Sequence, residues 1–208
     1  MKRLLLSAAL LGALLAPAAA QVNPTPGVIS GYAPKQTYSA VWIGLVPAAT
    51  ATDLVCIAGS ASKTITVQSI HMSGTAAAGN LTVPATILRR VALDTGGTAA
   101  STTANPANTI SRRVTTNGAP TATLISYTAN PTINDTSPTY IDSQVITTPV
   151  ATTNGGFVTN FDWGKDIENL YQGPTMRNGQ TTQQICLNLN GITITSGVLT
   201  GSITWTEE

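Results

Sequence analysis

Charge is what this 208-residue chain has least of: ten lysines and arginines and nine aspartates and glutamates make up only 9% of it. A chain with a formal net charge of +1 has no electrostatic basis for holding a phosphate backbone, so nucleic acid is excluded as a partner. Its basic residues adjoin one another only at Lys2–Arg3, Arg89–Arg90 and Arg112–Arg113. The two later pairs are read as solvated strand edges or loop salt bridges rather than phosphate contacts. Histidine occurs once, as His71. A serine–histidine–carboxylate triad would have to use it as base, yet the nearby Ser69 and Ser73 lie on the same strand and no nucleophile elbow surrounds them. The two cysteines, Cys56 and Cys186, are too far apart for a CxxC redox or zinc motif. No glycine-rich nucleotide signature is present, Gly96–Gly97 and Gly155–Gly156 being turn glycines. No cofactor and no metal are implied, and the chain is read as non-enzymatic.

Long apolar runs are missing too, apart from Leu4–Leu15, which follows the basic Met1–Lys2–Arg3 and precedes the small residues Pro17, Ala18, Ala19 and Ala20. That order of charge, apolar stretch and small residues is a cleavable signal peptide over residues 1–20, with cleavage between Ala20 and Gln21. The run is too short to cross about 30 Å of hydrocarbon comfortably, so no stable membrane insertion is expected after cleavage. The expected destination is secreted or cell-surface, with the periplasm as a further possibility. Without Lys2 and Arg3 the mature chain has eight basic residues against nine acidic ones. In an oxidising compartment its two cysteines are expected to form one disulfide, closing a loop of roughly 130 residues.

What the chain has in abundance is threonine, 35 residues, none of them in the signal peptide, with many alanines, glycines, asparagines and serines. The β-branch of threonine suits a pleated surface, while glycine, asparagine and proline suit turns. Short hydroxyl side chains also cost less entropy to order than lysine or glutamate. Residues 21–49 read as an extended N-terminal arm, broken by Pro24, Pro26, Gly27, Gly31 and Pro34, with a possible first strand within Tyr38–Pro47. Residues 50–208 read as one domain. Strands are expected at Leu54–Ala58, at Thr64–Gln68 and on to Met72 with a β-bulge near Gln68–Ser69, and at Leu81–Val83 and Ile87–Leu93 with Pro84 as an interruption. Others are expected at Thr121–Thr128, Asp142–Val150 and Gly156–Phe161, with one short helical piece within Asp162–Leu170. From Gln184 to the end, Ile185, Leu187 and Leu189, then Leu199, Gly201, Ile203 and Trp205, alternate with other residues and read as an antiparallel meander in which Ile192–Thr195 is a strand or a bent loop. Eight to ten short strands with almost no helix predict an all-β, antiparallel β-sandwich. A jelly-roll topology is preferred to an immunoglobulin-like one.

Several blocks, Asp53-Leu-Val-Cys-Ile-Ala-Gly-Ser60, Lys63-Thr-Ile-Thr-Val67, Leu88-Arg-Arg90, Thr95-Gly-Gly-Thr98, Tyr127-Thr-Ala-Asn-Pro131, Gln184-Ile-Cys-Leu-Asn-Leu-Asn-Gly191 and Trp205-Thr-Glu-Glu208, together resemble proteins encoded among bacteriophage and prophage genes and associated with virions. The resemblance spans roughly residues 40–208 and brings no catalytic residues with it. The signal peptide departs from it, because virions assemble in the cytoplasm, and an exported bacterial protein with the same domain is the other reading.

Two functional classes follow. The first is a structural protein that self-assembles on a cell surface, in an extracellular fibre or in a virion-like particle, with Tyr32, Tyr38, Val41, Trp42 and Ile43 of the arm as apolar anchors on a neighbouring copy. The second is a carbohydrate or surface-receptor binding module. Its platform would be Trp163 and Tyr171, whose ring faces suit apolar sugar faces, beside the carboxylates Asp162 and Asp166. With Glu168 these carboxylates are also the least implausible catalytic pair, although the spacing equally describes a polar helix surface and lacks the alternating ligands of a calcium loop.

Overall fold

A computed structural model of the chain describes residues 35–75, 81–99, 110–148, 156–163, 173–192, 194 and 197–208. The expected signal peptide, the expected arm up to Pro34 with Tyr32, the expected helical piece after Trp163, and Asp166 and Tyr171 lie outside the described residues. Pro34–Glu208 is one compact unit.

The described residues form twelve strands: β1 (Gln36–Leu45), β2 (Asp53–Ala58), β3 (Ile65–Thr75), β4 (Leu81–Arg90), β5 (Thr98–Ala99), β6 (Ile110–Arg112), β7 (Thr123–Ala129), β8 (Thr139–Thr148), β9 (Phe157–Asp162), β10 (Thr175–Met176), β11 (Gln184–Asn188) and β12 (Val198–Glu207). Every ladder among them is antiparallel. In sheet one the order is β10-β3-β12-β1-β6, with β9 also on β3; in sheet two it is β5-β7-β2-β11-β4-β8. The two sheets pack as an all-β sandwich. The long strands pair in a nested way: β1 with β12, β2 with β11, β3 with β9 and β4 with β8.

Two-residue periodicity sets which side chains enter the core. In β9, Phe157, Thr159 and Phe161 are buried while Val158, Asn160 and Asp162 face out. In β3 the expected bulge is present: the β12 register steps from Ser69 to Val67, skipping Gln68. That extra residue lets Ile65 and Val67 share the core with Ile70 and Met72 despite the change of phase. His71 then faces out, its Nδ1 2.7 Å from Asn160 Oδ1.

The centre of the sandwich is aromatic. Tyr38, Trp42 and Trp205 are fully buried; Tyr38 and Trp205 are register partners whose rings stack at 5.9 Å. Gly201 makes room for Trp42, since a Cβ there would collide with the indole and with the His71 carbonyl.

Three expectations change. First, β4 runs through Pro84 instead of breaking there. β11 covers β4 only from Thr86 onward, so the missing N–H falls where β8 is its one partner. Second, the C-terminal segment is no meander. β11 lies between β2 and β4 while β12 lies between β1 and β3, and the chain crosses between sheets through a bend at Asn190 and Gly191, both at positive φ. Third, Tyr38 and Trp42 are not anchors for a neighbour. They belong to β1, which is bonded on both sides within its own sheet, and they fill their own core, whereas Val41 and Ile43 on the opposite face are 41% and 57% exposed.

The chain end is also more than a tail. Glu207 is buried and its carboxylate accepts hydrogen bonds from the backbone N–H groups of Thr121 and Ala122, the Thr121 hydroxyl and Trp205 Nε1. Glu208 pairs with Lys35 at 2.6 Å on the surface, a contact worth about 1 kcal/mol at most. Trp205→Ala should cost about 3–5 kcal/mol in denaturant unfolding through lost burial and cavity formation. Glu207→Ala, which strands several buried donors, should cost about 2–4 kcal/mol; a loss under about 0.5 kcal/mol, the range of surface substitutions, would show that water replaces the carboxylate freely.

Candidate functional site

Of the residues expected from sequence to form a binding platform, Trp163 and Asp162 are described. Trp163 is half-buried, stacked on Phe161 at 6.0 Å and packed against the main core, so its ring is no open platform. Asp162 is exposed on the outer side of β9 opposite Ser69. Among the described residues the densest polar chemistry lies elsewhere, on the outer face of sheet two.

That face is organised by the two central strands. β2 and β11 are buried on both sides apart from the last residue of β2, so their outward residues also need partners. Cys56 and Cys186 are directly opposed in the register and form the expected disulfide, 130 residues apart in sequence. With Tyr127 they form a second, smaller core outside the sandwich. An irregularity in β2 at Leu54 lets Leu54 and Val55 both join the main core. It brings Asp53 to the same outer face as Cys56, opposite Asn188.

Asp53 is held from three sides. Arg90, at the end of β4, forks onto it with Nε at 2.5 Å from Oδ2 and Nη2 at 2.9 Å from Oδ1. Asn188 Nδ2 donates to Oδ1 from β11. The remaining Arg90 nitrogen, Nη1, donates to the Asp135 carbonyl at 3.0 Å, while the Asp135 carboxylate accepts from the backbone of Val91 and Ser137. Those two backbone bonds, with the Arg90 charge, hold the Asp135 carboxyl below the usual range against the opposing effect of desolvation. Burial opposes the charge on Arg90, but the hydrogen bond and charge of Asp53, with Asp94 and Asp135, raise its pKa further.

Asp94 completes the group from the loop after β4. Its side chain is closed to solvent, Oδ1 lies 4.0 Å from Arg90 Nε, and Oδ2 lies 3.8 Å from Cys56 Sγ. Burial first, then the hydrogen bond and charge of Asp53, push its carboxyl up to about 7, against the pull of Arg90 and Gln184. Two neighbouring carboxyls facing one guanidinium thus favour keeping one proton near neutral pH. Burial, with Asp94 and Asp53 beyond it, also pushes the Tyr127 hydroxyl up to about 12.

The ligand atoms of Asp53, Cys56, Asp94 and Cys186 lie within 4.8 Å of one another, a metal-like grouping. Its donors are already committed: the sulfurs to each other, and Asp53 to Arg90 and Asn188. Asp94 Oδ1 and Gln184 Nε2 are buried without a hydrogen-bond partner, and both residues line a cavity of about 60 Å³. Such a space suits water and is far below the size of a sugar or nucleotide site. The arrangement is chemically a lock: it neutralises charge, joins β2, β4 and β11, and ties two loops to them. Charged residues inside the apolar runs Asp53-Leu-Val and Ile87-Leu-Arg-Arg-Val were the available signal for it.

Comparison with protein-family models, with curated proteins and with solved structures gives no match to this chain.

Because Asp94 has a folded-state pKa near 7 against about 3.9 when unfolded, the folded state binds the extra proton between those values. Its contribution to stability is complete below about pH 4, declines as pH rises toward 7 at up to about 1.4 kcal/mol per unit, and is absent above. Denaturant midpoints should therefore fall from about pH 4 to about pH 7, and Asp94→Asn should flatten that fall. An equal fall in the variant would assign the effect to another group.

Proposed function

We propose that this is a non-enzymatic exported structural protein that self-assembles, on a cell surface, in an extracellular fibre or in a virion-like particle. The observation that carries this reading is β8. It is ten residues long and sits at the edge of sheet two, with β4 as its one strand partner among the described residues. It contains no lysine or proline and one charged residue, the half-buried Asp142, and Tyr140 and Val145 are 69% and 67% exposed. Edge strands are normally blunted by charge, proline or brevity, because their free N–H and C=O groups are a template for another chain.

The N-terminal arm is the matching occupant. β1 begins at Gln36, which leaves the chain from Gln21 to Lys35 to reach outward, about 50 Å if extended. Within it Gly27–Ala33 is free of proline and carries Val28, Ile29 and Tyr32, a length and composition suited to adding a strand to a neighbour's β8. The arm proper is therefore shorter than residues 21–49, since Tyr38 and Trp42 are needed at home.

The nested pairing of β1 with β12, β2 with β11, β3 with β9 and β4 with β8 supports a jelly-roll topology in preference to an immunoglobulin-like one. Jelly rolls serve capsid and lectin domains alike, so topology leaves the assembly and receptor readings level. The exposed edge and the arm favour assembly. Among the described residues no helix is long and apolar enough to cross a membrane.

Protein secreted by a host cell should have an intact mass beginning at Gln21. Solution mass and electron microscopy on that material should show discrete oligomers or fibres. These should dissolve to monomers in a chain beginning at Pro34, and also in Val145→Lys, which places a charge on the edge without touching the core. A stable monomer at high concentration for the Gln21 chain would overturn the reading and move the binding module ahead of it.

A further inference from the structure

Arg89 and Arg90 are neighbours in sequence but face opposite ways, as successive residues of a strand must. Arg90 is absorbed by the acidic lock. Arg89 points to the end of the sandwich where β10 of sheet one comes close, and its Nη2 donates to the Thr175 carbonyl at 3.0 Å. Its Nε is sealed from solvent and has no acceptor. Beside it opens a cavity of about 220 Å³ lined by Arg89, Thr175, Arg177, Gln180 and Gln183. Two arginines and two glutamines border that space, and among the described residues no carboxylate lines it. Neither Arg89 nor Arg177 forms an ion pair among the described residues.

The loop that presents Arg177, Gln180 and Gln183 is pinned rather than loose. Asn178 N donates to Thr64 Oγ1, Gly179 N to the Ser60 carbonyl, and Gly59 N to the Gln183 carbonyl at 2.9 Å. Within the loop, Gln180 N reaches the Arg177 carbonyl and Gln183 N the Gln180 carbonyl. Gly59 passes so close that a Cβ would collide with the Gln180 carbonyl. The backbone that carries these side chains is therefore held in place before any ligand arrives, so only side-chain freedom is lost on binding one.

We propose that this cavity is an oxyanion site that takes a sulfate or phosphate group, as a free ion or as a substituent on a surface sugar. Arg177 offers an N–H fork matched to such an oxyanion, and the charge of both arginines, faced by no lining carboxylate among the described residues, supplies the attraction. The amides of Gln180 and Gln183 add neutral donors that read its remaining oxygens. This site does not depend on self-assembly: it lies on the β4 end, β10 and the loop before β11, and uses neither β8 nor the arm.

The test is calorimetric titration of the folded secreted protein, at fixed ionic strength, with sodium sulfate, sodium phosphate and a heparin-derived tetrasaccharide. One-to-one saturable binding of sulfate or phosphate is expected, weakened about tenfold or more by Arg177→Gln. Arg177 is exposed, so that change leaves the core intact, and Arg112→Gln on β6 should leave binding unaltered. Tighter binding of the tetrasaccharide than of sulfate would identify a sulfated glycan as the source, and equal or weaker binding a free ion. Absence of saturation by either ion up to about 50 mM, well beyond a millimolar dissociation constant, would overturn the proposal. So would an equal loss in Arg112→Gln, which would show diffuse attraction to surface charge.

Discussion

The joint between β2 and β11 is the constraint on which the rest of this structure depends. These strands are the middle of sheet two, and three devices act on the same pairing: the Cys56–Cys186 disulfide, the Asn188 hydrogen bond to Asp53, and the Arg90 fork that reaches Asp53 from β4. A buried ion pair is seldom a net source of stability, because desolvation offsets most of the attraction. Its consequence here is register. Sliding β2 by one residue would turn Asp53 and Cys56 toward the main core, leaving Arg90 charged and unpaired in a dry environment, which is far costlier than a lost apolar contact. The disulfide adds a cross-link across about 130 residues, worth roughly 2–4 kcal/mol in typical measurements.

The distribution of charge connects this lock to the surface. The chain has few ionised groups, and Asp53, Arg90, Asp94, Asp135 and Glu207 are all used in the interior to hold strands and loops together. Besides scattered charges such as Lys35, Arg112, Arg113, Asp162, Arg177 and Glu208, the described outside is rich in threonine, serine, asparagine and valine. On sheet one, Val41, Thr200 and Val158 stand on exposed positions with Ser73 and Ser202 half-exposed among them. Such a surface has little self-repulsion and little side-chain entropy to lose when covered. Both properties lower the cost of bringing copies together, in keeping with an edge strand whose one charged residue is the half-buried Asp142. The cluster of Arg89 and Arg177 at one end of the sandwich stands out against this background because its charge has no internal use.

Much of the architecture was legible from residue order. Leu54–Ala58, the Gln68–Ser69 bulge and the alternating run to Trp205 were readable because a strand half-buried in a sandwich repeats every two residues. The disulfide was readable from the chain's two cysteines once an oxidising compartment was expected. Other features were not. Pro84 reads as a break because proline cannot donate to a ladder, and only the short reach of β11 makes it harmless. Glu207 reads as a dispensable tail because acidic residues after the last apolar position are usually solvated; the nearby Thr121–Ala122 backbone, 86 residues away in sequence, turns it into an acceptor for buried donors. The aromatic residues Tyr38 and Trp42 read equally well as anchors for a neighbour or as core, since apolar character calls for burial without saying against what.

By itself, then, the sequence determined the class of structure: antiparallel strands with turns at glycine, asparagine and proline, an apolar face on each strand, and two cysteines able to join. Those properties are local, set by backbone preferences and by a period of two. Tertiary structure alone decided that β11 and β12 belong to different sheets, that Asp53, Arg90, Asp94 and Asn188 meet around the disulfide, and that Arg89 turns away to share a cavity with Arg177. Each of these depends on which strands lie side by side, and strand order is a contest among many pairings with similar local energies. It is settled by the total burial of the two sheets and by where unpaired charge can be tolerated.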